Sequence, residues 1–151
     1  MEIERKYLVK RLPEHLESYP HTEIEQGYLC TSPTVRIRRM GDVFWLTIKE
    51  KQEAHSTALY NREEEFRLDN AKYEHLKAKC DGRMVLKTRY RIPVDGLTAE
   101  LDVFHGSHEG LKLVEVEFPT IEAANSFIAP DWFCEEVSQD CRYRNSYLAF
   151  N

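Results

Sequence analysis

Along most of this chain apolar side chains recur at every second position, the period of a β-strand with one face on a core and the other on something polar. The alternation predicts eight strands, at residues 2–10, 23–31, 34–40, 43–50, 59–68, 83–93, 97–104 and 111–119. Turn signals separate them: Ser32-Pro33, Gly41-Asp42, a polar 51–58 segment, Asp81-Gly82, Asp95-Gly96 and a His/Gly loop at 105–110. That succession predicts an antiparallel meander. Helical spacing interrupts it: Asp69 or Asn70 can cap a helix with Tyr73, Leu76 and Cys80 on one face, and a second helix is expected from Thr120 to before Pro130. A terminal helix from Ser138 or Asp140 onward would stack Tyr143, Tyr147 and Phe150 in a stripe.

The polar face of these strands is charged, and its charges are sorted by strand. Glu2, Glu4 and Lys6 open the chain, followed by Arg36/Arg38, Lys49, Glu63/Glu65, Lys87/Arg89/Arg91, Glu100/Asp102 and Glu115/Glu117. A solvated face usually mixes signs, because like charges opposed across strands are destabilising. Same-sign pairs need counter-ions. Acid pairs suit a hard divalent cation such as Mg²⁺ or Mn²⁺, and arginine pairs suit phosphate, whose oxygens match the guanidinium fork. The periodicity leaves two architectures open: a barrel closed by about eight strands, or an open sheet with helices on its apolar face and a solvated charged face.

Length and composition narrow the classes. The 151 residues fit one domain, spanning 1–151. A formal charge of -5 argues against nucleic acid or an anionic membrane as partner, so any basic site is local and enclosed. Cys30, Cys80, Cys134 and Cys141 are widely spaced, with no C-x-x-C pair and no leader segment, which predicts reduced thiols and a cytoplasmic location. Apolar runs are too short to span a bilayer as helices. His105, His108 and Glu109 have loose metal-ligand spacing but read as a glycine-flanked surface loop. Tyr28 reads as packing or as a residue of the charged face. Nucleophile-elbow, P-loop and dinucleotide motifs do not occur.

Glu2-Ile3-Glu4-Arg5-Lys6 resembles the E-x-E-x-K signature of the CYTH superfamily, the triphosphate tunnel metalloenzymes. In the family's order there follow Gln26-Gly27-Tyr28-Leu29, Val35-Arg36-Ile37-Arg38, Leu46-Thr47-Ile48-Lys49, Glu63-Glu64-Glu65, Lys87-Thr88-Arg89-Tyr90, Glu100-Leu101-Asp102-Val103 and Leu113 to Phe118. The resemblance implies a mainly β (α+β) fold: an eight-stranded antiparallel closed barrel forming a charged tunnel, helices outside, and a C-terminal helix near one mouth. It implies a divalent-metal-dependent triphosphatase, similar to short bacterial members that hydrolyse inorganic tripolyphosphate to phosphate and pyrophosphate.

On that basis Lys6, Arg36, Arg38, Lys49, Lys87, Arg89, Arg91 and Arg142 are expected to bind triphosphate. Glu2, Glu4, Glu63, Glu65, Asp102, Glu115 and Glu117 are expected to hold Mg²⁺ or Mn²⁺. Lys49, Arg38, Lys6 and Glu63 are the expected catalytic set, with Glu63 and Glu100 as candidate bases. Thiamine triphosphate hydrolysis, class IV-type adenylate cyclisation and polyphosphate binding without turnover are the alternatives on the same scaffold. A homodimer is compatible with the sequence. Two positions depart from the family pattern: Asn61 stands where related fifth strands carry Arg, leaving open whether Glu64 faces inward, and Cys141 stands where they often carry Lys.

Overall fold

The computed structural model describes residues 2–51 and 61–151, with backbone alone for Lys51, Asn61 and Arg62. Most of the 51–58 turn and the start of the expected fifth strand lie outside the described residues. The strands are β1 (Glu4–Val9), β2 (His21–Thr31), β3 (Thr34–Met40), β4 (Val43–Lys51), β5 (Asn61–Leu68), β6 (Asp81–Val94), β7 (Leu97–His105), β8 (Lys112–Glu117) and β9 (Phe133–Glu136). The helices are α1 (Asn70–Lys77), α2 (Ile121–Ser126) and α3 (Asn145–Phe150). The expected meander is present as two runs of sequential neighbours, β2 to β5 and β6 to β8, and the described residues add a ninth strand that the alternation did not predict.

Strand order is β5-β4-β3-β2-β6-β7-β8-β1-β9, so among the described residues hydrogen bonds do not close the sheet into a barrel. The short β9 lies on the outer side of β1, pairing Tyr7 with Glu136 and Val9 with Phe133. The fold shown is a mainly antiparallel β-sheet with few helices. Its residues fall into two compact units, one of 23–86 with 141–151 and the other of 2–22 with 87–140.

In the first unit one strand face is apolar. Gly27 pairs with Ile37, Ile37 with Leu46, and Leu46 with Phe66. Helix α1 packs on this face of β3 and β4. It starts where expected, Asp69 accepting from the Lys72 amide at 2.8 Å. Tyr73 is fully buried, its ring 5.0 Å from Phe44 and its hydroxyl donating to Glu25 Oε1 at 2.9 Å. The C-terminal helix is shorter than its stripe implied. One tight turn, Cys141–Tyr143, precedes α3, and the buried positions are Leu148 and Ala149 while Tyr147 and Phe150 stay exposed. Gly82, at φ +70°, lets β6 pass beneath this helix, because a Cβ there would lie 2.5 Å from the Ala149 carbonyl oxygen.

The second unit carries the larger apolar cluster: Tyr7, Ile92, Val94, Ala99, Leu101, Val114, Val116, Phe118, Ala124 and Phe133. These come from alternate positions of β6, β7, β8, β1 and β9, plus α2, which Thr120 caps by accepting from the Ala123 amide at 3.0 Å. Asp95 and Gly96 both take positive φ, the geometry of a two-residue hairpin turn between β6 and β7. Arg5 points away from Glu4 and Lys6. It donates to both oxygens of Glu136, at 2.6 and 3.0 Å, and to the Ala124 carbonyl at 2.8 Å, binding β9 and α2 to β1.

Candidate active site

Each unit presents one charged strand face, the reverse of its apolar one. In the first unit the register places Gln26 opposite Arg38 and Tyr28 opposite Arg36. It then places Arg38 opposite Trp45, Arg36 opposite Thr47, Thr47 opposite Glu65 and Lys49 opposite Glu63. Lys49 Nζ lies 3.6 Å from Glu63 Oε2. Glu64 pairs with Ile48 on the other face, which resolves the register left open by Asn61; the Asn61 side chain itself lies outside the described residues.

The two acids of this face are shifted in opposite directions. Burial lifts Glu63, but the hydrogen bond from Glu65, with Lys49 and Arg36 nearby, outweighs it and holds Glu63 below the usual carboxylate range. The same hydrogen bond leads the upward shift of Glu65, reinforced by burial and by repulsion from Glu63. Burial also raises Tyr28, opposed by Arg36 and Arg38.

The second unit repeats the arrangement with different strands. Glu4 opposes Glu117, and Glu115 is flanked by Lys6 and Glu100. Lys6 Nζ is 3.7 Å from Glu115, and Arg89 is 3.0 Å from Glu100. Although Glu4 as a residue is exposed, its carboxyl is crowded: burial, a hydrogen bond with Glu115, and repulsion from Glu115 and Glu2 raise it to about 9 against the pull of Lys6. Glu115, which burial alone would lift, is held low by that hydrogen bond and by Lys6 and Arg89.

Beside this pair lies a buried cluster of two cations around one carboxylate. Asp102 accepts from Arg89 at 2.8 and 3.0 Å and sits 2.8 Å from Lys87 Nζ, the Lys87 side chain being 0 % exposed. Burial pushes Asp102 up, yet Lys87 and Arg89 outweigh it and hold the carboxyl at about 2. Arg91 Nη1 donates to Thr22 at 3.1 Å. With Thr98, Glu100, Glu117 and Phe118 it lines a cavity of about 450 Å³ in this unit.

The alternation thus placed the charged residues, and Thr47 with Lys49, on common faces, and the structure adds Gln26, Trp45 and Arg67 to them. Arg67 stacks over the Trp45 ring at 5.7 Å. The signal for Trp45 and Arg67 was the same alternation, extended one step beyond Thr47 and Glu65. Arg142 stands apart on the exposed turn before α3, over the Tyr143 ring at 5.6 Å. His105 contacts Thr88 at 2.7 Å and Glu109 at 3.9 Å, on the face opposite the charged one.

Among the described residues no three acidic, histidine or cysteine side chains converge as a ready ligand set. Each unit instead offers a pair of neighbouring acids, shifted in opposite directions, beside cations. That donor set fits Mg²⁺ or Mn²⁺, which take one or two carboxylates and complete their shell with water and substrate phosphate. A strand face of this composition defines a class, a β-sheet protein that holds a polyanion together with a hard cation.

Comparison with known proteins makes the class specific. The chain is 43% identical to an inorganic triphosphatase of Nitrosomonas europaea, the alignment covering 99% of this chain and 97% of that one. It is 33% identical to an inorganic triphosphatase of Acetivibrio thermocellus, covering 99% and 94%. Among solved structures, a crystal structure of an inorganic triphosphatase superposes with a TM-score of 0.78 at 40% identity, covering 100% of this chain and 95% of that one. No family model matches the chain. The protein belongs to the inorganic triphosphatase family, within the CYTH superfamily.

Proposed function

We propose that this protein hydrolyses inorganic tripolyphosphate to phosphate and pyrophosphate in a divalent-metal-dependent reaction. The observation that carries the proposal is the placement, on single strand faces, of arginine and lysine side chains beside paired carboxylates, in a chain of this kinship. Phosphoryl transfer asks little covalent chemistry of a protein and much positioning and charge stabilisation. Arg36, Arg38 and Lys49 supply this in the first unit, and Lys6 and Arg91 in the second.

The Lys87, Arg89 and Asp102 cluster serves as a charged frame, since its members already satisfy one another. Glu2, Glu4, Glu115 and Glu117, and separately Glu63 and Glu65, are the residues that would hold Mg²⁺ or Mn²⁺. Bound there, the metal would neutralise phosphate oxygens and acidify a water. Glu63, low in pKa and beside Lys49, is the candidate acceptor for the proton of the attacking water. Arg142, on its exposed turn, is assigned a peripheral contact with the anion. The finer architecture implied by the resemblance, a single domain whose barrel closes around a tunnel, belongs to the same proposal. Four free thiols suit a reducing compartment.

The test is turnover of tripolyphosphate, ATP and thiamine triphosphate with Mg²⁺ or Mn²⁺ in excess of substrate, following phosphate, pyrophosphate and cyclic AMP. Charged strand faces grip a linear polyanion along its length, so kcat/KM for tripolyphosphate is expected to exceed that for ATP by at least about tenfold. Equal efficiencies would mean a general triphosphatase. Cyclic AMP as the main product would mean a cyclase, and binding without turnover would mean a polyphosphate-binding module.

A further inference from the structure

The charged face of the first unit buries a polar side chain that its ion pairs do not use. Gln26 lies in β2 directly across from Arg38, with Tyr28 next on the same face. It is 0 % exposed, and neither amide atom has a hydrogen-bonding partner among the described residues. At the adjoining position Arg36 Nε is buried in the same condition. The other face of the strand favours this orientation. Gly27 faces the other way, where an added Cβ would fall 2.4 Å from Met84 Sδ and 3.1 Å from Cys80 Sγ, so a one-residue slip that turned Gln26 outward would have to displace Met84.

A buried amide without partners destabilises a fold, and an apolar side chain of the same length would serve packing better. Gln26 thus stands where a ligand's oxygens would satisfy it. We infer that Gln26 is a substrate-binding residue: its amide N–H groups donate to oxygens of the phosphate chain held by Arg36 and Arg38. Its carbonyl oxygen, which a bare anion would repel, accepts from a water that hydrates that anion. The inference rests on the triphosphate reading above and adds to it a neutral contact within the cationic face.

The two roles, structural and substrate-binding, predict opposite stability changes on removing the amide. Gln26→Met keeps the length and deletes both polar atoms; Gln26→Glu keeps the shape and replaces the donor by an anion. Thermal unfolding without ligand is paired with calorimetric titration of tripolyphosphate, with and without Mg²⁺. The Met variant is expected to melt at or above the wild-type temperature while binding tripolyphosphate about tenfold more weakly or worse, the loss of a hydrogen bond to a charged group. The Glu variant should fold and bind more weakly still. A Met variant that melts lower, or either variant binding within about twofold of wild type, would overturn the assignment. Wild-type protein that fails to bind tripolyphosphate would instead overturn the triphosphate reading itself, which keeps the two failures distinct.

Discussion

Replacing Asp102 by Asn removes one negative charge from a buried cluster and leaves its shape. In the folded protein the Asp102 carboxyl is held at about 2, against an ordinary value of 3.8, because Lys87 and Arg89 outweigh the cost of burying it. That depression makes the ionised carboxylate a net stabilising group of the folded state near neutral pH. The substitution also strands Lys87, whose side chain is 0 % exposed, opposite a neutral amide. Breaking a buried pair in this way typically costs about 3–5 kcal/mol. Asp102→Asn is therefore expected to lower the unfolding free energy in urea, near neutral pH and without metal, by about 3–5 kcal/mol.

The sign of the pH dependence follows from the depressed pKa. The stabilisation is present in full above the unfolded-state value and is lost as pH falls through the folded-state value, so the gap between wild type and variant should begin to close below about pH 4 and continue closing toward about pH 2. A control lies at the surface. Arg11 and Asp131 approach to 2.5 Å, but their side chains are 54 % and 82 % exposed, so Arg11→Ala should cost under about 1 kcal/mol. An Asp102→Asn protein within about 1 kcal/mol of wild type, or a gap unchanged by acid, would refute the description of this cluster as a buried electrostatic frame.

Three further outcomes follow from the site and its supports. Metal-free Glu4 is protonated near neutrality and a cation must expel that proton, so apparent Mg²⁺ affinity should rise with pH up to about 9; Glu4→Gln should abolish that slope and most turnover, and a flat wild-type profile in calorimetry would count against the assignment. Tripolyphosphate should raise the Tm of the metal-free protein, with Arg38→Ala shrinking the shift and Arg11→Ala preserving it; equal shifts in both variants would remove the first unit's charged face from the binding site. Gly82→Ala should destabilise the fold by about 1–3 kcal/mol in urea, since it combines positive φ with a clash against α3, and a loss below a few tenths would show that α3 yields freely.

Period-two alternation was enough to locate eight of the nine strands and to sort Arg36, Arg38, Lys49, Glu63, Glu65, Glu100, Asp102, Glu115 and Glu117 onto one face of their strands, because side-chain direction in a strand is a local property of the backbone. The starts of the helices after Asp69 or Asn70 and near Thr120 were legible for the same reason: the caps the structure shows, Asp69 and Thr120, are each satisfied within three residues. Tertiary structure decided what local pattern cannot carry. Strand β9 has four residues and too little alternation to announce itself, yet it pairs with β1 and adds a strand at that end of the sheet. The stripe of Tyr143, Tyr147 and Phe150 has helical spacing, but the neighbouring strand selects Leu148 and Ala149 for burial instead.

Within the site, sequence supplies the charges and folding supplies their partners. That Asp102 is held ionised by Lys87 and Arg89, while Glu4 and Glu65 are shifted upward by their acidic neighbours, depends on distances between side chains and on how much water each retains. Gln26 makes the same point for an uncharged group. Its place in the strand could be read from the sequence, but its complete burial without a partner arises only when β2, β3 and the residues behind Gly27 are packed together.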